Sequence, residues 1–180
     1  MGMQYDVLTT HLNQSGLVVS GRNRLKGVLI TGTATGGTVN FWDSLTAPVS
    51  ATYARSGYTI TVTKVAHGLV AGQGIGLAFS AAGGAAGTNG NYTVATVVDA
   101  DNFTVTDINT GTVASSTACQ YVVDTPGSND SSDWLFTTDT ASVTSGANVV
   151  FFSVPGEGIL AHSGIWCTFT NMTGVTTFYG

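Results

Sequence analysis

Charge is scarce in this chain. Asp, Glu, Lys and Arg make up 8% of its 180 residues, where an ordinary soluble domain carries about 25%. A single glutamate is present, Glu157, and no Lys or Arg follows Lys64. Glycoside cleavage needs two convergent carboxyl groups, whereas the acids here are dispersed or sit in turn-like sequence, so no catalytic residues are expected. So few cations cannot make the broad positive face that nucleic acid requires. No run approaches the roughly 18 consecutive apolar residues of a membrane helix, so the low charge does not imply a span. The opening MGMQYDVLTT lacks a basic start followed by an apolar core, and no signal peptide is expected. Helical periodicity is absent as well: no useful length of chain places apolar residues at i, i+3, i+4 and i+7.

The patterns of common sites are also missing. There is no GxSxG, P-loop or HExxH, and Gly72–Gly76 (GQGIG) has no helix-forming sequence after it to make a nucleotide loop. Cys119 and Cys167 form no CxxC and sit on strand-like segments, which suits small buried hydrophobes; pairing with each other is the alternative. His11, His67 and His162 are far apart and have no ligand spacing, so they could share a metal only by meeting at a symmetry axis of an oligomer. Asp130 and Asp133 lie in an acidic connection without the EF-hand pattern. Neither cofactor nor metal is expected.

What replaces charge is Gly, Thr, Ser, Ala and Val, with 24 glycines. Thr and Val fit a pleated sheet and Gly supplies turns. Short apolar runs recur with turn residues between them: Leu25–Ile30, Val39–Trp42, Tyr58–Val65, Ile75–Phe79, Tyr92–Val98, Phe103–Thr106, Ala118–Val123, Val149–Val154, Ile165–Thr170 and Val175–Tyr179. In one of them Tyr58, Ile60 and Val62 alternate with threonines, and in another Ile165, Cys167 and Phe169 alternate with Trp166, Thr168 and Thr170. Period two directs the first member of each set inward. Many short strands at this spacing predict an all-β sandwich or barrel.

Charge is also unevenly placed. Residues 1–64 hold all five cations against Asp6 and Asp43, for +3, while residues 65–180 hold eight acids and no Lys or Arg, for −8. Unlike faces of this kind suit layered or head-to-tail contact. Exposed strands are normally kept apart by charge, so a chain with so little is expected to have much of its surface covered.

The stretch YTITVTKVAHGLVAGQGIGLAF, a glycine-rich loop and NGNYTVATVVDADNFTVT carry the most specific pattern. Its parts are a Thr/Val strand, His67-Gly68-Leu69, Gly72 and Gly74 before an apolar strand, Asn89-Gly90-Asn91-Tyr92, and Asp101-Asn102-Phe103. This resembles the small β-barrel module of tailed-bacteriophage virion proteins that is often labelled FCCH-like. The resemblance implies a spacer or decoration module and no ubiquitin chemistry. The outer segments carry SGRNRLKGV from Ser20, TGTATGGTVNFWD, the turn Pro155–Gly158 (PGEG) and a terminal TTFYG. They are similar to short virion proteins of marine and cyanobacterial phages, which implies a small jelly-roll-like β-sandwich formed by both chain ends. The expected division is therefore 1–56 plus 125–180 as the sandwich, with 57–124 inserted.

Arg22, Arg24 and Lys26 repeat at period two and should project from one strand face. They serve either to blunt an edge strand or to contact an acidic neighbour. Glu157, between two glycines, either belongs to the turn or meets a neighbouring subunit. These four are the candidate interface residues. The resemblance implies a virion protein made in the host bacterial cytoplasm, and the compact, charge-poor chain is expected to be a capsid decoration (cement) protein. Its partners would be the major capsid protein and copies of itself, as a homotrimer. The alternative is a tail or fibre-associated component binding a host carbohydrate near Trp42, Tyr53 or Trp134.

Overall fold

A computed structural model describes residues 7–80, 85–124, 134–140 and 148–180, apart from the side chains of 115 and 116. Asp130 and Asp133 lie outside the described residues. All regular structure described is β. The fourteen strands are β1 (Leu8–Leu12), β2 (Gly16–Ser20), β3 (Asn23–Gly32), β4 (Gly37–Asp43), β5 (Val49–Thr63), β6 (Gly74–Phe79), β7 (Gly90–Thr93), β8 (Thr96–Val97), β9 (Asn102–Val123), β10 (Trp134–Thr140), β11 (Asn148–Ser153), β12 (Ile159–Ala161), β13 (Gly164–Phe169) and β14 (Met172–Tyr179). The chain forms two compact units, Met1–Ala47 with Leu135–Gly180, and Pro48–Trp134.

The first unit is a sandwich of two antiparallel sheets. One has the order β1-β14-β3-β11, with β12 also on β3; the other has the order β10-β4-β13-β2. Its inward positions are apolar: Leu25, Val28 and Ile30 from β3, Val39 and Phe41 from β4, Ile165 and Cys167 from β13, Val175 and Tyr179 from β14. The alternation expected over 165–170 places Ile165 and Cys167 in this core with Phe169 packed against it. On the opposite face of β4, Trp42 is fully buried and its Nε1–H donates to Thr168 Oγ1 at 3.1 Å. Each such side chain, removed from water, contributes roughly 1.5–3 kcal/mol.

The second unit is a curled, half-barrel sheet in the order β5-β9-β6-β7, with β8 also on β9. Strands β5 (15 residues) and β9 (22 residues) pair from Val49↔Tyr121 to Thr63↔Asn102. Register shifts at Tyr53/Arg55 and Gly57/Thr59 let this long ribbon curl. Tyr53, Ile60, Val62, Leu77, Phe79, Phe103, Val105 and Tyr121 fill its concave side. The second shift changes the alternation expected from sequence: Ile60 and Val62 point inward, but Tyr58, next to the bulge, is 56% exposed. Strand β5 begins at Val49, so residues 48–56 group with the second unit.

Candidate functional site

Three of the five cations converge in the first unit. Between Ser153 and Ile159 the chain makes a detour along the edge of β3. β11 reaches Ser153↔Gly27, Val154 N–H donates to Lys26 O at 2.9 Å, and pairing resumes at Ile159↔Leu25. Pro155–Gly158 therefore loops out of one interrupted edge strand. Gly156 (φ 70°) and Gly158 (φ 85°) occupy the left-handed region that glycine tolerates. At Gly158 a Cβ would also lie 2.5 Å from Leu25 O, so the loop can press against β3 only with glycine there.

This detour delivers Glu157 to the basic row. Arg24 Nη2 lies 3.3 Å from Glu157 Oε2, and Arg24 Nη1 donates to Gly158 O at 3.4 Å. Arg24 and Lys26 flank the fully buried Leu25 and project from the opposite face of β3, while Arg22 precedes the strand in the turn made by Gly21. Arg22, Arg24, Lys26 and Glu157, with Asn23 and Leu160, line a single depression of 470 Å³. The four residues singled out in the sequence are thus brought together. Three positive side chains face one negative side chain there, and Glu157 is mostly exposed, so its neutralisation of Arg24 is weak. The chemistry available is recognition of negative charge. Among the described residues no aromatic ring lines the depression.

The residues weighed for other chemistry are placed elsewhere. Trp42 and Tyr53 are fully buried and offer no face to a sugar, while Trp134 is half-buried. His67 belongs to a turn: Leu69 N–H donates to its Nδ1 at 2.9 Å, and its Nε2 lies 3.1 Å from Asp99 O. His11 Nδ1 meets Thr176 Oγ1 at 2.8 Å. Among the described residues no three His, Cys, Asp or Glu side chains gather as a metal site. Cys119 and Cys167 are both buried and unpaired with each other, and burial pushes the Cys119 thiol up to about 12.

Two polar clusters were not legible as sites in the sequence. Asp43, at the end of β4, accepts the backbone N–H groups of His162 (2.6 Å), Ser163 (2.8 Å) and Gly164 (3.2 Å) and so pins the β12–β13 connection. In the second unit, Arg55 and Asp107 form a buried ion pair. Burial works against the Asp107 carboxylate, but N–H donors from Thr88 and Asn109, the Thr88 hydroxyl and the Arg55 guanidinium outweigh it and hold the group below its ordinary value. A second depression, of 490 Å³, runs along the β7 edge past Asn89, Asn91, Tyr92 and Ile108.

No protein-family model and no curated protein matches the chain. Among solved structures, a phage phi92 endosialidase is similar at a TM-score of 0.36 and 22% identity over 73% of this chain. The match covers 20% of the endosialidase chain, so this protein spans about a fifth of that one's length. A likeness at this level assigns neither fold nor activity.

Proposed function

We propose that this chain is a non-catalytic structural protein of a tailed-phage particle, acting as a decoration subunit on the assembled capsid. The observation that carries the reading is the gathering of Arg22, Arg24 and Lys26 in one depression of a chain with net charge −5. A charge-poor β-sandwich that concentrates its cations in one place is suited to docking on an acidic protein surface. Edge strand β11 adds apolar contact surface: Val149 is 64% and Phe151 61% exposed. The resemblance of the Tyr58–Thr106 segment and of the outer segments to phage virion proteins supplies the setting.

In this reading the partners are the major capsid protein and further copies of this chain, arranged as trimers on the outer surface of the virion. A subunit that binds only the assembled shell stabilises it by mass action. Many weak sites then add by avidity.

The tail-associated alternative has one observation of its own. The β7 depression combines a tyrosine with Asn and Thr side chains, a lining suited to a neutral saccharide. Quantitative mass spectrometry of purified virions separates the two readings. A ratio to the major capsid protein near one, or a simple fraction such as about a third, supports a shell layer. A ratio of a few per cent moves the protein to the tail, and absence from the particle overturns both readings.

A further inference from the structure

We infer that the Arg22–Arg24–Lys26 depression takes the Asp99–Asp101 turn of a second copy, so that subunits associate head to tail. The inference rests on the proposed function and deepens it by naming a neighbouring copy as the acidic protein surface that this depression takes, but it is tested on the purified protein without the virion.

The depression calls for negative charge, and the described residues contain one place that presents it in a fixed form. Asp99 and Asp101 stand in the connection between β8 and β9. Asp99 Oδ1 accepts Asp101 N–H at 2.8 Å, and both Asp99 oxygens lie 3.0 Å from Asn102 Nδ2. Asp101 Oδ1 accepts Ala66 N–H at 2.9 Å. These bonds fix the backbone and orient the carboxylates, and Asp99 and Ala100 are exposed. A preorganised pair of charges loses little freedom on binding. By contrast, Asp43 and Asp107 are buried, Asp124 is half-buried at the end of β9, and Asp139 stands as a lone exposed acid on β10.

Charge and form also select the occupant. With no ring among its described lining residues to stack on a sugar, the depression favours a carboxylate-bearing protein surface. The chain supplies one itself, because its cations and its acids lie in different parts of the sequence. Donor and acceptor surfaces differ, so the contact is heterologous: a three-fold rotation closes it into a trimer, and a non-closing rotation gives a filament. Exposed ion pairs are individually weak and salt-sensitive, so single contacts should be detectable at low ionic strength and persist at high salt only where several act together.

Sedimentation velocity of the full chain tests this. Wild type should associate at low salt, with the association constant falling about tenfold or more on adding 0.5 M salt. Arg22→Gln/Lys26→Gln removes the acceptor without creating an acidic surface that Lys at position 100 could meet, and leaves the Arg24–Glu157 pair in place. Ala100→Lys spoils the donor while sparing the side-chain hydrogen bonds of the turn, so it should fold even where Asp99→Asn/Asp101→Asn does not. Each variant alone should be monomeric. An equimolar mixture should form 1:1 dimers and nothing larger, since only one intact acceptor and one intact donor remain. The idea fails if wild type stays monomeric at low salt, if either folded variant assembles like wild type, or if the mixture remains monomeric. Failure here leaves the virion ratio free to support or overturn the decoration reading by itself.

Discussion

Arg55 Nη2 lies 3.2 Å from Asp107 Oδ2, and both side chains are almost entirely removed from solvent. The guanidinium also donates through Nε to Gly57 O at 3.2 Å, through Nη1 to Ala85 O and Ala86 O, and through Nη2 to Asn109 O. Asp107 in turn accepts Thr88 N–H at 2.8 Å and Asn109 N–H at 3.1 Å. One charge pair therefore ties β5, β9 and the segment before β7 together. Gly111 makes room for it, since a Cβ there would lie 3.2 Å from the Arg55 guanidinium carbon.

Removing one partner should be costly. Arg55→Met leaves a buried carboxylate and several carbonyl oxygens without their donor, and should destabilise the second unit by about 3–5 kcal/mol. Urea denaturation followed by the fluorescence of this unit's tyrosines checks this; a loss below about 1 kcal/mol would mean that water reaches the pair.

Acid should weaken the same unit. The Asp107 carboxyl is held below its ordinary value, and so is Asp99, chiefly by the Asp101 N–H and the Asn102 amide. In the unfolded chain both groups bind protons at higher pH than in the folded one. Their contribution is complete above the ordinary carboxylate range and is lost as pH falls through the folded values. Denaturation midpoints should be flat from about pH 7 to 5 and decline below about pH 4. Asp107→Asn should flatten that decline while lowering the midpoint throughout.

Thr177 invites the opposite change. It is fully buried in β14, and its hydroxyl has no hydrogen-bond partner among the described residues. Thr177→Val keeps the shape and removes an unsatisfied polar group, so it should stabilise the sandwich by about 1 kcal/mol. A higher midpoint in thermal unfolding is the expected result, and a lower one would reveal water at the hydroxyl.

The thiols should be inert in the native protein. Burial raises Cys119 to about 12 and raises Cys167 further in the same direction. Because the thiolate is the nucleophile, alkylation at pH 8 should be negligible until denaturant is added, and then both cysteines should react. Fast labelling of one thiol in the folded state would show local opening at its strand.

Much of the fold was legible because period-two alternation writes the core of β4, β6, β13 and β14 directly into the sequence. The losses have physical causes. In β5 the inward series Val49, Ala51, Tyr53, Arg55 ends in a charge, so its first half does not look like a strand, although Arg55 is 4% exposed. The runs Phe103–Thr106 and Ala118–Val123 are the two ends of β9, joined by a Thr/Ser/Gly-rich middle that resembles a turn until β5 is seen to pair with it. The basic row and Glu157 were visible singly. Their meeting depends on a four-residue detour that no local pattern encodes, and the Asp43 clamp depends on a contact spanning about 120 positions.

The order of the two units along the chain also dictates an order in time. The second unit is one continuous stretch, Pro48–Trp134, whereas the first needs both Met1–Ala47 and Leu135–Gly180. Its outermost ladder pairs Leu8 with Tyr179, nearly the whole chain apart. During synthesis the ribosome releases everything the second unit requires before it releases β11–β14. The sandwich is thus the late-folding part, with slow, non-local pairing. Until β14 arrives, β1 and β3 lack the strand that lies between them, and that nascent interval is when the protein is most exposed to mispairing with its neighbours.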